Sequence, residues 1–344
     1  AMLASIFEEA GYEPTVAVGG VRVDTGTNAH AGAGTWFITE SDESDGSFLH
    51  LSPTIAVVNN IENDHISSDA ELPQLLEQFS IFVNKVPASG RAIVGTDNKA
   101  SALVGKGALS PVTTFATRAE ADLTIGELSF AELASRFVVY ERGVALGELR
   151  LSVPGEINVQ NALGALGAAR AAGVPFDAIA RALANFHGVR RRFEIVGRGA
   201  ITVVDDYAHH PTAIAQTIAA ARGYAHGPLV VAFQPHRYTR TAYLKDDFAR
   251  ALQGADRVFL TPIYAASEAP LPGISERSIG EPLAASGTVV DYVGDVDELV
   301  ERIRHEAPDG ALVLMLGAGS ISAVAHRLGE RVAAGDGVRV SSAG

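Results

Sequence analysis

The chain has 344 residues, of which 47% are hydrophobic, and its formal net charge is −13. This length suits two domains, the hydrophobic fraction excludes a disordered chain, and the acidic balance argues against the broad basic surface that nucleic-acid binding needs. The chain has no cysteine, and no apolar run reaches the roughly 20 residues of a membrane span, so disulfides, thiolate chemistry and membrane insertion are excluded too. We expect a globular, cytoplasmic protein without nucleic-acid or membrane partners.

Predicted strands and helices alternate in the first half of the chain. Apolar spacing predicts helices over residues 2–10 and 72–82, and strands over 15–18, 35–39, 54–59 and 91–95. That alternation is typical of βαβ units around a largely parallel sheet. Shorter apolar stretches between residues 121 and 153 predict a small β region on the same domain.

The second half repeats the alternation after an alanine-rich helix predicted over residues 158–172. Strands are predicted over residues 201–204, 228–233, 257–261, 288–292 and 311–316, with helices between them. This pattern predicts a second, doubly wound α/β domain. We place the boundary near residue 190, at the basic run Arg190-Arg191-Arg192.

Two polar clusters in the second half each follow a predicted buried strand. The first reads Asp-Asp-Tyr-Ala-His-His-Pro over residues 205–211, and the second reads Gln-Pro-His-Arg-Tyr-Thr-Arg-Thr over residues 234–241. In an open α/β sheet, ligands bind in the crevice beyond the carboxyl ends of the strands. The clusters therefore predict a site for a small anionic substrate, with structural packing as the alternative for the histidines.

The basic members of the second cluster are candidates for binding a carboxylate or a phosphate. His236, Arg237 and Arg240 follow the strand at 228–233, and arginine offers a planar, permanently charged donor for such groups. The alternative is a pair of surface ion pairs with Asp246 and Asp247.

A carboxylate and an imidazole follow two predicted strands of the first domain. Glu40 ends the strand at 35–39, and His65 follows the strand at 54–59. If these two strands are neighbours, the side chains converge, and such a pair suits Mg²⁺ or Mn²⁺ holding a nucleotide triphosphate. The alternative is an acidic, solvated loop.

Two asparagines open the alanine-rich helix. Asn158 has the residue type of a helix cap, and Asn161 lies about one turn later, where its amide could bind an adenine edge. Simple capping is the alternative interpretation.

In this order, these segments resemble the ATP-dependent Mur ligases of peptidoglycan synthesis. The resemblance rests on residues 39–45 and 63–65, the asparagine pair, the segment Gly-Val-Arg-Arg-Arg-Phe at 188–193 and the two polar clusters, and it runs from Ala1 to about Ala325. It implies a central P-loop-type ATPase domain with a mostly parallel sheet, expected at residues 1–190. A Rossmann-like, doubly wound C-terminal domain that binds an amino acid is expected at residues 191–344.

The resemblance also implies roles for the candidate residues. Glu40 and His65 would hold Mg²⁺ on ATP. Asn158 and Asn161 would contact adenine, Arg192 the phosphates, and Asp205 and Asp206 would lie toward the ribose. Six side chains would line the pocket for the amino acid and the reacting carboxylate: Tyr207, His209, His210, His236, Arg237 and Arg240. His209, Arg192 and Arg237 are the ones expected to act on the reacting groups.

The implied reaction joins L-alanine to UDP-N-acetylmuramate through an acyl phosphate, with ATP and Mg²⁺, in a monomer or weak dimer. One rival within the family is the recycling ligase, which joins a free peptide to UDP-muramate; residues 234–241 favour the alanine reaction. The rival of another class is a non-catalytic module that holds a nucleotide or amino acid.

Two features of the resemblance concern the start of the chain. No match to the phosphate loop GxxxxGK[ST] occurs in the sequence, and the helix at 2–10 has no capping residue before it. We therefore expect a truncated first domain that lacks the phosphate loop and the UDP-sugar domain, and a chain that is inactive by itself.

Overall fold

The computed structural model describes residues 1–43, 46–62, 72–131 and 134–335, which form two units, unit 1 up to Val189 and unit 2 from Arg190. His65 lies outside the described residues. Unit 1 contains α1 (Met2–Glu9), β1 (Thr15–Ala17), β2 (Ala29–His30), β3 (Phe37–Thr39), a short 3₁₀ helix (Ser47–His50), β4 (Ile55–Val58), α2 (Leu72–Val83), β5 (Arg91–Gly95), α3 (Lys99–Lys106), β6 (Val112–Phe115), β7 (Leu123–Ala131), β8 (Ala134–Glu141), β9 (Val144–Leu151), α4 (Glu156–Ala171) and α5 (Phe176–Ala184).

The main sheet of unit 1 has six strands in the order β4-β5-β6-β7-β8-β9. The pairings from β4 to β7 are parallel, and the last two are antiparallel. Its side chains alternate between two cores, since Ala92 and Val94 pack with α2 and α3 whereas Ile93 packs with α4 and α5. The predicted small β region is thus an extension of the same sheet.

A separate three-stranded sheet of order β2-β1-β3 holds the strand that precedes Glu40. The predicted convergence of Glu40 and His65 was conditional on β3 and β4 being neighbours. Instead β3 pairs with β1, while β4 pairs with β5 in the main sheet. The condition is therefore not met; short strands of similar composition carry no signal of which sheet they join.

Unit 2 contains β10 (Glu194–Arg198), β11 (Thr202–Asp206), α6 (Pro211–Arg222), β12 (Leu229–Phe233), α7 (Tyr238–Leu252), β13 (Arg257–Leu260), α8 (Arg277–Ala285), β14 (Val289–Tyr292), α9 (Glu298–Glu306), β15 (Leu312–Leu316) and α10 (Ile321–Ala333). The sheet order is β10-β11-β15-β12-β13-β14, parallel except for the edge strand β10. This confirms the predicted α/β fold with parallel-rich sheets.

Strand β11 is longer at its carboxyl end than the sequence suggested. Asp205 and Asp206 pair in register with Met315 and Leu316 of β15, so both carboxylates belong to the strand rather than to the loop after it. Within the described ranges, no helix combines the length and apolarity that a membrane crossing needs.

Candidate active site

The two polar clusters of unit 2 follow strands that are not adjacent in the sheet. Strand β15 lies between β11 and β12, and the backbone at its carboxyl end hydrogen-bonds to the ends of both neighbours. Gly317 N–H donates to the Asp206 carbonyl at 3.1 Å, and Gln234 N–H donates to the Leu316 carbonyl at 3.0 Å. A Cβ on Gly319 would lie 2.4 Å from Gln234 Oε1 and 2.7 Å from Tyr264 Cγ, so a side chain at this position would have to displace both residues. The Gly317-Ala318-Gly319 sequence is a tight turn from strand to helix.

His209 is held by the backbone of its own loop. Its Nδ1 lies 2.9 Å from the Tyr207 carbonyl oxygen, which can only accept a hydrogen bond. Nδ1 therefore carries a proton, and in the neutral ring Nε2 is the nitrogen that can accept one. The His209 ring meets the Tyr207 ring edge-on at 4.8 Å and the His236 ring at 5.8 Å.

His236 stacks on Tyr264, with ring centroids 5.5 Å apart and an interplanar angle of 14°. The pairing is fixed by the backbone, because Arg237 N–H donates to the Tyr264 carbonyl and Tyr264 N–H donates to the Pro235 carbonyl, each at 2.8 Å. Burial, followed by the charges of Arg240 and Arg237, lowers the pKa of His236 against a smaller opposing effect of Glu268. A neutral imidazole thus lies beside two cations.

Arg237 and Arg240 occupy the first turn of α7. Arg237 is the N-cap residue with φ of 70°, a left-handed conformation that non-glycine residues seldom adopt. Cations at the positive end of a helix dipole are unfavourable unless an anion joins them, and the Glu268 carboxylate, which accepts from the Thr239 N–H and hydroxyl, already lies at this helix start. Asp247, the partner considered from sequence, pairs instead with Arg250. The arrangement suits binding of a carboxylate.

Tyr207 is flanked by two arginines of the basic run. The guanidinium carbons of Arg191 and Arg192 lie 4.7 and 5.5 Å from its ring centroid, at distances typical of cation–π contacts. The backbone carbonyl of Arg191 accepts a hydrogen bond from Tyr207 N–H at 2.7 Å. The Arg191 side chain donates from Nη2 to the Gly317 carbonyl at 2.9 Å. Arg192 is exposed and can reach an external anion.

Asp206 is buried, and its side chain hydrogen-bonds to two nearby backbone N–H groups. Its carboxylate oxygens accept from Ala208 N–H and Phe193 N–H, both at 2.7 Å. Burial raises its pKa, although these two N–H groups favour the ionised form. Asp205 is fully buried and accepts from the Ser322 hydroxyl. The expected contacts of both residues with a ribose stay predictions.

His210 occupies a different place from His209. It is the N-cap residue of α6 and lines a cavity of about 470 Å³ between α6 and α7. Sequence reasoning missed two members of the site, Tyr264 and Arg191. Tyr264 follows β13 as the polar clusters follow β11 and β12, so the strand-end rule could have found it.

In unit 1, the asparagine pair lies in the first turns of α4. Asn161 Oδ1 accepts from Asn59 Nδ2 at 3.0 Å, which leaves the Asn161 amide group as a donor. Asn158 Nδ2 donates to the Pro154 carbonyl at 2.6 Å. The N-cap residue of α4 is Gly155 rather than Asn158, because the helix begins at Glu156, two residues before its predicted start.

Glu40 directly follows β3 and is exposed. Its Oε2 accepts from Gly19 N–H at 3.1 Å, and its backbone N–H donates to the Ala17 carbonyl. The carboxylate is therefore oriented but open to a ligand. An oxygen donor of this kind fits Mg²⁺.

Comparisons with known proteins cover both units. Residues 29–169 match the family model "Mur ligase middle domain", and residues 191–319 match "Mur ligase, glutamate ligase domain". A UDP-N-acetylmuramate–L-alanine ligase from Acidithiobacillus ferrooxidans is 45% identical over 331 residues, which cover 94% of this chain and 71% of that protein. One from Geobacter sp. is 41% identical, over 93% of this chain and 70% of that protein.

A solved structure is similar over the same extent. The UDP-N-acetylmuramate-alanine ligase from Thermotoga maritima superposes with a TM-score of 0.81 at 28% identity, over 96% of this chain and 71% of that chain.

Proposed function

Because this chain belongs to the Mur ligase family, we propose that it serves the ATP-dependent joining of L-alanine to UDP-N-acetylmuramate in peptidoglycan precursor synthesis. The names of relatives that are 41 to 45% identical support this substrate pair. In the molecule itself, the proposal is carried by one observation, the 5.8 Å approach of His209 and His236 next to Arg237 and Arg240. We assign nucleotide binding to residues 1–190, amino-acid binding to residues 191–344, and the reaction to the cytoplasm.

In the proposed reaction, the muramate carboxylate attacks the γ-phosphorus of ATP, and ADP leaves. The alanine amine then attacks the carbonyl carbon of the acyl phosphate, the bond from that carbon to the phosphate oxygen breaks, and inorganic phosphate leaves. The ammonium group of alanine must first lose a proton to become a nucleophile. His209 Nε2 is a suitable acceptor, because Nδ1 is committed to the Tyr207 carbonyl.

The arginines supply positive charge where the substrates are anionic. Arg237 and Arg240 would bind the alanine carboxylate at the start of α7, with His236 neutral beside them because its pKa is lowered. Arg192 is exposed and would neutralise phosphate charge, and its stacking on Tyr207 restrains it. Tyr207 would thus orient the cation and shape the pocket at the same time.

The nucleotide contacts belong to unit 1. The Asn161 amide group would donate to adenine, while Asn158 is tied to the Pro154 carbonyl and would contribute through its remaining oxygen. Glu40 would hold Mg²⁺, which when bound would neutralise the charge of the triphosphate.

The test is phosphate release from ATP by the complete gene product. We expect release only when both UDP-N-acetylmuramate and L-alanine are present. Release without L-alanine would contradict the proposal. If a peptide amine replaces L-alanine with equal rate, the recycling ligase is the correct assignment; if no mixture releases phosphate while nucleotide binds, the protein is a binding module.

A further inference from the structure

Three potential metal ligands lie together in unit 2, on β10, β11 and α10. Glu194, Asp205 and His326 each offer one ligand atom, and these atoms all lie within 4.8 Å of one another. The Nε2 atom of His326 is 3.7 Å from Asp205 Oδ2. Metal–ligand bonds of about 2.0–2.2 Å place two ligands of one ion up to roughly 4.4 Å apart. The cluster is therefore near the size of a coordination sphere.

The two carboxylates oppose each other across a strand pair. Glu194 of β10 is the direct antiparallel partner of Asp205 of β11, so their side chains share one face of the sheet. Like charges directly opposite each other on paired strands destabilise a sheet. A cation between them would remove that repulsion.

The third ligand comes from α10, which packs on this face. Ser322 and His326 are four residues apart on the helix and point the same way, and the Ser322 hydroxyl donates to Asp205 Oδ2 at 2.5 Å. Two glycines allow the close packing, since a Cβ on Gly197 would lie 2.5 Å from the Gly329 Cα atom. The fold thus brings the imidazole onto the carboxylate pair.

The contacts of the Asp205 carboxylate do not fully compensate for its burial. It is fully buried, and its Oδ1 has no hydrogen-bond partner within the part of unit 2 that the structure describes. Arg191 compensates only in part, because its Nη2 donates to the Gly317 carbonyl.

We propose that Glu194, Asp205 and His326 form a site for one divalent first-row transition-metal ion that joins β10, β11 and α10. Two carboxylates with an imidazole suit Zn²⁺ or Mn²⁺, whereas Mg²⁺ in proteins usually also takes oxygens from a bound phosphate. His326 is 45% exposed on its side chain and Glu194 is partly exposed, so an ion can enter from solvent. The Ser322 hydroxyl or water can complete the coordination.

The test is calorimetric titration of the chain with Zn²⁺ and, separately, with Mg²⁺. We expect saturable Zn²⁺ binding that weakens about tenfold or more in both His326→Ala and Glu194→Gln, since each removes a ligand. His305→Ala is the matched control, because His305 lies near Glu301 on α9 and belongs to no cluster of three potential metal ligands among the described residues. Asp309→Asn, which changes an exposed carboxylate outside the cluster, should also leave this binding unchanged.

Thermal unfolding supplies a second readout. Zn²⁺ should raise the Tm of the parent chain and of His305→Ala but not of His326→Ala, whose fold is checked without metal by circular dichroism. Absence of saturable Zn²⁺ binding up to about 1 mM, equal binding of Mg²⁺ and Zn²⁺, or unchanged Zn²⁺ affinity in His326→Ala would each overturn the proposal.

Discussion

The imidazole rings of His209 and His236 lie with their centroids 5.8 Å apart, although the strands that precede them, β11 and β12, are separated in the sheet by β15. The end of β15 links the two segments, because Gly317 N–H donates to the Asp206 carbonyl and Gln234 N–H donates to the Leu316 carbonyl. The site therefore depends on a third strand end as well as on the two that carry the imidazoles.

The Arg237→Ala variant should bind L-alanine more weakly, with much less effect on the binding of ATP. Loss of a charge-assisted hydrogen bond to a carboxylate costs about 1.5–3 kcal/mol, or roughly 10- to 150-fold. We expect the KM for L-alanine to rise by that factor, with a much smaller change in the KM for ATP. Arg250→Ala, which removes an exposed partner of Asp247 on the same helix, is the control. Equal effects of the two variants would argue against the role of Arg237.

The Asn161→Asp variant distinguishes a role of Asn161 in nucleotide binding from its role in the stability of the fold. The carboxylate keeps an acceptor for Asn59 Nδ2 but loses the amide donor proposed to face adenine. We expect weaker ATP binding in the complete gene product, measured by titration, with a Tm close to that of the parent. Asn161→Leu should lower both, since it also leaves the Asn59 amide without its acceptor. Unchanged ATP affinity in Asn161→Asp would remove Asn161 from the nucleotide site.

Gly329→Ala should destabilise unit 2 even though alanine favours helices. A Cβ at this position would lie 2.3 Å from the Val196 carbonyl oxygen, so α10 must move away from β10. Overpacking of this kind costs about 1–3 kcal/mol, against a propensity gain of up to about 1 kcal/mol. Calorimetry should show a lower Tm. Gly223→Ala, with its nearest contact at 3.3 Å, should change the Tm little.

Lowering the pH should decrease the free energy of unfolding of unit 1, partly because Asp97 becomes protonated. Burial alone would raise the pKa of this carboxyl, but the N–H groups of Thr117, Ala119 and Arg118 outweigh burial and lower it. Because the folded pKa lies below the unfolded value of about 3.9, this stabilisation is present above that pH and is lost as the pH falls through the folded pKa.

Asp97→Asn is the variant that tests this pH dependence. It should cost about 1–3 kcal/mol at neutral pH, since an amide cannot accept all of these bonds, and the loss of stability below about pH 4 should become shallower. Urea unfolding followed by fluorescence of Trp36, the single tryptophan and a residue of unit 1, measures both. Asp309→Asn, at an exposed carboxylate, is the control. An unchanged slope in Asp97→Asn would contradict the assignment.

Much of the fold follows from the sequence, because buried parallel strands are apolar runs bounded by turn residues. The predicted strands at 91–95 and 228–233 correspond to β5 and β12. Shorter or more polar elements were missed, among them β10, whose Glu194 and Arg198 interrupt the apolar pattern. The end of β11 was placed too early, because charged residues normally mark a strand end and here Asp205 and Asp206 are buried within the ladder.

The candidate site was predictable in composition but not in contacts. The strand-end rule identified the segments of His209 and His236, while the stacking of Tyr264 and the arginines around Tyr207 depend on how separate loops pack. The separation of His210 from His209 is a matter of helix geometry, because His210 caps α6 and faces α7. Adjacent residues of one type need not share a role.

The most direct test of the account is incorporation of labelled L-alanine into UDP-N-acetylmuramate by the complete gene product in the presence of ATP. We expect one alanine joined per phosphate released, little incorporation of glycine, and a loss of incorporation in Arg237→Ala that Arg250→Ala does not share. Incorporation that is equal for L-alanine, glycine and a peptide amine, or phosphate release without any amide product, would contradict the proposed function.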